Sequence, residues 1–405
     1  MLNPFNDIFT MTEKEFCSEL LENLIGNILP YWIDKMIDPR GGFYGRRDGF
    51  DRLDEDAPKG AILNGRLLWS FASAYRTTGR QEYLDIATRA KDYILKHFVD
   101  HEYGGVYWSL NADGTPLDTK KQFYAIGFVI YGLSEYVRAT GDKEALECAI
   151  SLFHDIETHS RDRVNGGYLE ACTREWGKID DMRLSDKDEN MEKTMNTHLH
   201  IIEPYTNLYR VWRDESLREA IVHLMGLFLD VMEDKATGHL GLFFDDEWHR
   251  HDRNVSYGHD IEASWLLLET AQELGDPALL EKTLVHTRRI AEAALEGRYD
   301  DASMVYELHG DGHLDDDRHW WVQAEDVIGL VYLHKFHGVV GALDKAMNSW
   351  RYIRDNIVDR EGGEWHWSRR AEGEVNRDDD KAGFWKCPYH NSRMCTEVIR
   401  VLSEQ

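Results

Sequence analysis

The sequence predicts an all-α fold, an (α/α)6 barrel with short β-hairpins on the face where the inner helices start. Three observations predict it. A turn mark recurs six times, with a Gly pair in "DPRGGFYG", "HEYGGVYW", "RVNGGYLE" and "REGGEWHW" and as weaker copies in "TGHLGLFF" and "DDASMVYEL". Two helical patterns lie between successive turns, one apolar nearly all round and one amphipathic. The helix junctions repeat as "TTGRQEYL", "ATGDKEAL" and "ELGDPALL", where Gly ends one helix and the next segment begins another.

Each element follows from these signals. An outer, amphipathic helix opens the chain near residue 13. The first turn follows, and near residue 60 an inner helix begins with "AILNGRLLWSFASAY", which is apolar on every face and so must be buried. The outer helix "EYLDIATRAKDYILKHFV" keeps one apolar stripe. Inner segments then start near 119, 193, 256, 319 and 385, and outer segments near 81, 143, 215, 277 and 341. Turn-forming Asp, Asn and Gly followed by alternating aromatic and polar residues make each mark a short hairpin. Spacings of roughly 60 to 75 residues signal a repeat architecture, which leaves an open solenoid as the alternative to a closed ring. With no Pro- or Ser-rich linker, residues 1–405 read as a single domain. The long polar stretch "WGKIDDMRLSDKDENMEK" breaks the period and is a candidate lid.

Composition narrows the partners. Seventy-four acids against 47 bases give a formal net charge of −27, which repels nucleic acid and anionic membranes but not a neutral substrate. No apolar run approaches the length of a transmembrane helix, and no signal-peptide pattern opens the chain. The five scattered cysteines suit a reducing compartment, so a cytoplasmic protein is expected, as a monomer or weak homodimer.

Polar side chains sit unexpectedly in the first turns of the inner helices. They are Arg66; Tyr124; Asn196, His200 and Glu203; His259 and Glu262; Gln323 and Glu325; His390 and Asn391. In a barrel these ends meet at one mouth, together with unpaired helix N–H groups. Trp321 and Trp385 lie beside them and suit sugar stacking, whereas Trp69 reads as core. Histidines that take and give protons near neutrality, beside an arginine that can hold an enediolate oxygen, describe proton movement at a carbon next to a carbonyl. Aldose epimerisation and isomerisation are such reactions.

Other classes fit less well. A glycoside hydrolase would use a carboxylate pair such as Glu262 and Glu325, but leaves the histidines idle. A non-catalytic sugar-binding protein explains the tryptophans alone. His198-x-His200 points to two helix faces, so no metal is expected. No phosphate loop or dinucleotide fingerprint follows a strand, so no cofactor is expected either.

The chain resembles the N-acylglucosamine 2-epimerase superfamily along essentially its whole length. The resemblance rests on "NGRLLW" with Arg66, "NTHLH" with Asn196 and His200, "GHDIEASWLL" with His259, Glu262 and Trp265, "WWVQAE" with Trp321 and Glu325, and "FWKCPYHNSRMC" with Trp385 and His390. It implies an (α/α)6 barrel that epimerises C2 of the reducing-end glucose of β-1,4-linked disaccharides. Other members of that superfamily act on monosaccharides or their N-acyl forms, some converting aldose to ketose. The resemblance further implies that His259 and His390 are the acid/base pair and that Arg66 holds the enediolate. It gives Glu262 to His259 as its charge partner, and gives Tyr124, Asn196, His200, Trp265, Trp321, Glu325 and Trp385 to the sugar.

Overall fold

The computed structural model describes residues 11–185 and 188–403. The inner helices are Ala61–Thr78, Phe123–Thr140, Met195–Tyr209, Tyr257–Leu274, Trp320–His337 and Tyr389–Ser403. The outer helices begin at Glu13, Gln81, Lys143, Glu215, Pro277 and Ala342. Nearly every inner-helix residue is buried, as a helix apolar all round requires.

The local signals act where the sequence has them. Gly79, Gly141, Gly275 and Gly338 cap inner helices in the left-handed conformation, where no Cβ penalty applies. Asp142, Asp214 and Asp276 then accept backbone N–H bonds at the next outer N-termini. Several outer helices share a wider π turn, at Leu24–Ile28, Ile94–Phe98, Phe228–Met232 and Ile353–Ile357.

The ring closes. Each inner helix packs on the next, and the sixth packs on both the fifth and the first. The first outer helix packs on the sixth inner one, joining the two ends of the chain. An open solenoid would have no such contacts.

All six turn marks are present, closed by the antiparallel bridges Ile37–Phe43, Val99–Val106, Arg161–Tyr168, Glu233–Leu240, Arg298–Met304 and Val358–Trp365. The two weaker sequence copies fold like the rest; the fifth turn holds Ala302 at φ 70° where others use Gly. After each turn a two-residue strand pairs with the strand leading into an inner helix one repeat back: 109–110 with 59–60, 171–172 with 121–122, 243–244 with 193–194, 307–308 with 255–256, and 368–369 with 318–319. The Arg47–Ala382 bridge completes this circle. These strands therefore stitch neighbouring repeats together at the face where every inner helix starts.

Buried lysines reinforce the stitching. Lys59 donates to Asp38 (2.7 Å), Lys121 to Asp100 (2.8 Å) and Lys193 to Asp162 (2.8 Å), each linking a pre-helix strand to a turn. At the ring closure Glu364 accepts bonds from Trp32 (2.6 Å), Lys386 (2.8 Å) and Asn391 (2.5 Å). Lys386 and Glu364 are both fully buried. Replacing Lys386 with Met strands that carboxylate among neutral donors, which costs about 3–5 kcal/mol. The variant should unfold at clearly lower temperature and denaturant; unchanged midpoints would show that the closure does not depend on this pair.

Candidate active site

The ring of inner-helix N-termini surrounds a cavity of about 370 Å³ lined by Arg66, Tyr124, Asn196, His200, His259, Glu262, Trp321, Trp385 and His390, with Trp320, Trp367 and Tyr306. A second space of about 630 Å³ shares Asn196, His259, Tyr306 and His319 with it and runs outward over an acidic rim. The proposed lid stretch borders both through Leu184 and Asp188; its residues 186 and 187 lie outside the described residues. Gln122 pins the stretch by donating to the carbonyls of Met182 and Arg183.

Two imidazoles pack against one indole. The ring centroids of His259 and His390 lie 4.8 and 5.6 Å from that of Trp321. Arg66 donates to the Tyr124 hydroxyl (2.9 Å) and packs over Phe128 and Tyr389. Tyr124 meets His200 edge-on, and Trp385 meets Tyr124 in the same way.

Behind this surface sits the group that the sequence reading missed. Arg393 is fully buried, one helical turn beyond His390. Its Nη2 donates to Glu262 Oε1 (2.5 Å) and Glu325 Oε1 (2.6 Å). Its Nη1 donates to Glu203 and to the Tyr389 hydroxyl, and Tyr389 in turn donates to Glu203. The guanidinium also packs on the rings of Trp265 and Tyr389. Two of its carboxylates hold imidazoles: Glu325 Oε1 lies 2.7 Å from His390 Nδ1, and Glu203 Oε2 lies 2.9 Å from His200 Nδ1. With Nδ1–H donated to a carboxylate, each ring keeps its Nε2 lone pair for the cavity.

Several expected partnerships are corrected. Glu262 does not pair with His259; it turns to Arg393, because a buried carboxylate is drawn to the nearest buried cation. His259 Nδ1 instead lies 2.8 Å from Ser256 Oγ. Glu325 and Trp265, expected on the sugar, sit behind the lining: Trp265 Nε1 donates to Glu325 (2.9 Å) and Glu325 holds His390. The polar helix starts do not all face the mouth. His198, Asp260 and Gln323, each fourth in its helix, accept the backbone N–H of Tyr168, Leu240 and Met304 and so anchor three turns. Gly167 shows how tight that anchoring is, since a Cβ there would lie 2.3 Å from Trp248 and 2.9 Å from His198.

Electrostatics follow from these contacts. Burial works against the Glu203 charge, but Arg393, His200 and Tyr389 hold its pKa down to about 2. Burial, then repulsion from Glu325, pushes Glu262 up, and burial, helped by Glu203, pushes Glu325 up against Arg393 and Trp265. Glu325 accepts from Arg393 and Trp265 and lies on His390, whereas Glu262 has one donor, so the proton of this pair resides on Glu262. His259 keeps part of its surface open to the cavity, yet burial, then His200, lowers it to about 3. Burial, then Arg66 and Arg393, lowers His390, and burial lowers His200 against the pull of Glu203.

Glu262, Glu325 and His390 bring possible ligand atoms within 4.8 Å of one another. The guanidinium of Arg393 already occupies the cation's place between the two carboxylates. Asp315, Asp317 and His319 form a second such group on the rim.

Residues 42–393 match the N-acylglucosamine 2-epimerase (GlcNAc 2-epimerase) family. A cellobiose 2-epimerase of Bacteroides fragilis is 57% identical over 383 residues, 94% of this chain and 98% of that protein. One from Ruminococcus albus is 40% identical over 387 residues, again 94% and 98% of the two chains. The solved cellobiose 2-epimerase of Bacillus thermoamylovorans B4167 superposes with a TM-score of 0.91 at 38% identity, covering 96% of this chain and 99% of that one. Among the described residues no helix is long and apolar enough to cross a membrane.

The frame around Arg393 makes a direct prediction. Arg393→Met leaves three buried carboxylates without their cation, a loss of about 3–5 kcal/mol. The variant should be less stable, and kcat should drop by about 10²-fold or more as His390 and His200 lose their orientation. Wild-type kcat in a folded Arg393→Met protein would contradict this assignment.

Proposed function

The chain belongs to the N-acylglucosamine 2-epimerase family, and we propose that it interconverts the reducing-end glucose and mannose of β-1,4-linked disaccharides of the cellobiose and lactose type. The observation that carries the reading is the pair His259 and His390, both packed against Trp321, in one cavity with Arg66. The B. fragilis and R. albus relatives, both cellobiose 2-epimerases, support the disaccharide over a free or N-acylated monosaccharide.

In this reading the open-chain sugar lies with its C2 between the two imidazoles. One, neutral, removes the C2 proton. The electron pair moves to the carbonyl oxygen, and the Arg66 guanidinium holds the enediolate that forms. The other imidazole, in the minority protonated form that burial leaves at neutral pH, returns a proton to the opposite face. The reverse reaction exchanges the two roles. Burial drives both rings towards neutrality, so the protonated one is a strong donor to carbon. Arg66 also holds the Tyr124 hydroxyl, which fixes the edge of the site where O1 and O2 would lie. Asn196 and His200 orient hydroxyls, and Trp385, only partly buried, offers a stacking face. Glu325 and Trp265 act through His390 instead of on the sugar.

The whole chain serves as one catalytic domain, and its acidity and scattered cysteines suit a cytoplasmic monomer or weak homodimer. The inner carboxylates need no divalent metal, because Arg393 supplies the cation among them. Activity should survive dialysis against a strong chelator, and a loss restored only by added metal would overturn that part of the reading.

Incubation with cellobiose in heavy water, followed by carbon NMR, should give the mannose-ended epimer with deuterium at C2. His259→Ala and His390→Ala should each lower turnover by about 10²–10⁴-fold. Near-wild-type rates for both variants on every epimerisable sugar would place the proton transfer elsewhere.

A further inference from the structure

Three imidazoles line the inner cavity, and the groups behind them differ. Glu325 holds Nδ1 of His390, and Glu203 holds Nδ1 of His200. Among the described residues no carboxylate is hydrogen-bonded to His259; its Nδ1 lies 2.8 Å from Ser256 Oγ. Ser256 is buried, and the strand it belongs to pairs it with Glu307 and so fixes its backbone. This serine stands at the N-cap of the helix Tyr257–Leu274, where a hydroxyl ordinarily accepts the backbone N–H of the second or third helical residue. Thr194, at the same place one repeat earlier, does so, accepting from the Thr197 backbone N–H at 3.1 Å. Ser256 caps no helix N–H. Its hydroxyl is diverted from the backbone to the side chain of the third helical residue, which is His259.

We propose that Ser256 is the positioning residue of His259: its hydroxyl accepts Nδ1–H, holds that tautomer and leaves the Nε2 lone pair to meet the C2 proton. This rests on the reading of His259 as one of the two groups that move that proton. A hydroxyl can accept from Nδ1–H or donate to a bare Nδ1, and only the first arrangement leaves Nε2 basic. The cap geometry selects the first. An N-cap oxygen turns its lone pairs towards the third helical residue, so here the oxygen accepts and the ring donates. When His259 takes a proton on Nε2, its Nδ1–H stays on the same oxygen. Both protonation states therefore keep one ring orientation.

The neutrality of the partner matters as well. A carboxylate on Nδ1 favours the imidazolium, whereas a hydroxyl adds no charge. Burial, then His200, holds the pKa of His259 down to about 3, so the ring rests uncharged. The two C2 groups thus stand on unlike supports: His390 on a carboxylate tied to Arg393, and His259 on a cap hydroxyl. Because that hydroxyl caps no backbone donor, removing it takes away little that holds the helix.

The test compares wild type, Ser256→Ala and Ser256→Thr by thermal unfolding, by lactose epimerisation and by nitrogen NMR of protein labelled at histidine nitrogens, with the His259 ring assigned from His259→Ala. Ser256→Ala should unfold close to the wild-type temperature. Its kcat should fall by about 10-fold or more with KM little changed, since a base held in the wrong tautomer can cost as much as about 10⁴-fold. Its His259 signals should move from the Nδ1–H form towards Nε2–H. Ser256→Thr should keep the wild-type rate and tautomer, because the same cap position already holds Thr194 one repeat earlier. An alanine variant with wild-type kcat, or with unchanged His259 signals, overturns the proposal. So does a threonine variant that falls as far as alanine. If the alanine variant does not fold, Ser256→Cys replaces it, with nearly the same size but a weak acceptor. A wild-type protein that puts no deuterium at C2 of lactose in heavy water defeats the epimerase reading, and the His259 signals of the variants then decide the role of the hydroxyl alone.

Discussion

One buried guanidinium holds the chemical end of this barrel together. Arg393 touches carboxylates from three inner helices, Glu203 on the third, Glu262 on the fourth and Glu325 on the fifth, and projects from the sixth. A lone ion at that depth would be prohibitively costly, and so would three uncompensated carboxylates. Each side therefore requires the other, and the requirement fixes four helices relative to one another. Two of the carboxylates pass the constraint on to His390 and His200. The direction in which those rings present their nitrogens is set by the core behind the cavity.

The sixfold repeat explains why that arrangement is possible. Every repeat delivers a helix N-terminus to the same face, and the cross-repeat strands hold those termini in a circle. Equivalent positions then diverge in use. The fourth residue of an inner helix anchors a turn in three repeats, as His198, Asp260 and Gln323. Neighbouring positions carry His200 and His259 into the cavity. The frame is thus rigid and repetitive, while the chemistry depends on the few positions where the repeats differ.

Much of the architecture is readable from local signals. The inner-helix starts expected near 60, 193, 256 and 319 lie at Ala61, Met195, Tyr257 and Trp320, because a run apolar on every face is encoded locally. Closure is not local: it depends on contacts such as Trp32 with Glu364, which no periodicity reveals. The mouth residues are legible as a set, since polar groups recurring at one helix end must converge. Their pairing is not. The i, i+3 spacing of His259 and Glu262 suggests a pair, yet the carboxylate obeys Arg393, a residue far away in sequence. The signal for Arg393 was present in "CPYHNSRMC", where it stands three residues after His390 and so on the same helix face.

The central claim is that carboxylates anchored by Arg393 fix the tautomers of His390 and His200. Nitrogen NMR of the protein labelled at histidine nitrogens, with the two rings assigned from His390→Ala and His200→Ala, reads this directly. At neutral pH both rings should appear uncharged, with the proton on Nδ1 and an unprotonated Nε2. Imidazolium signals, or protons on Nε2 in both rings, would contradict the account.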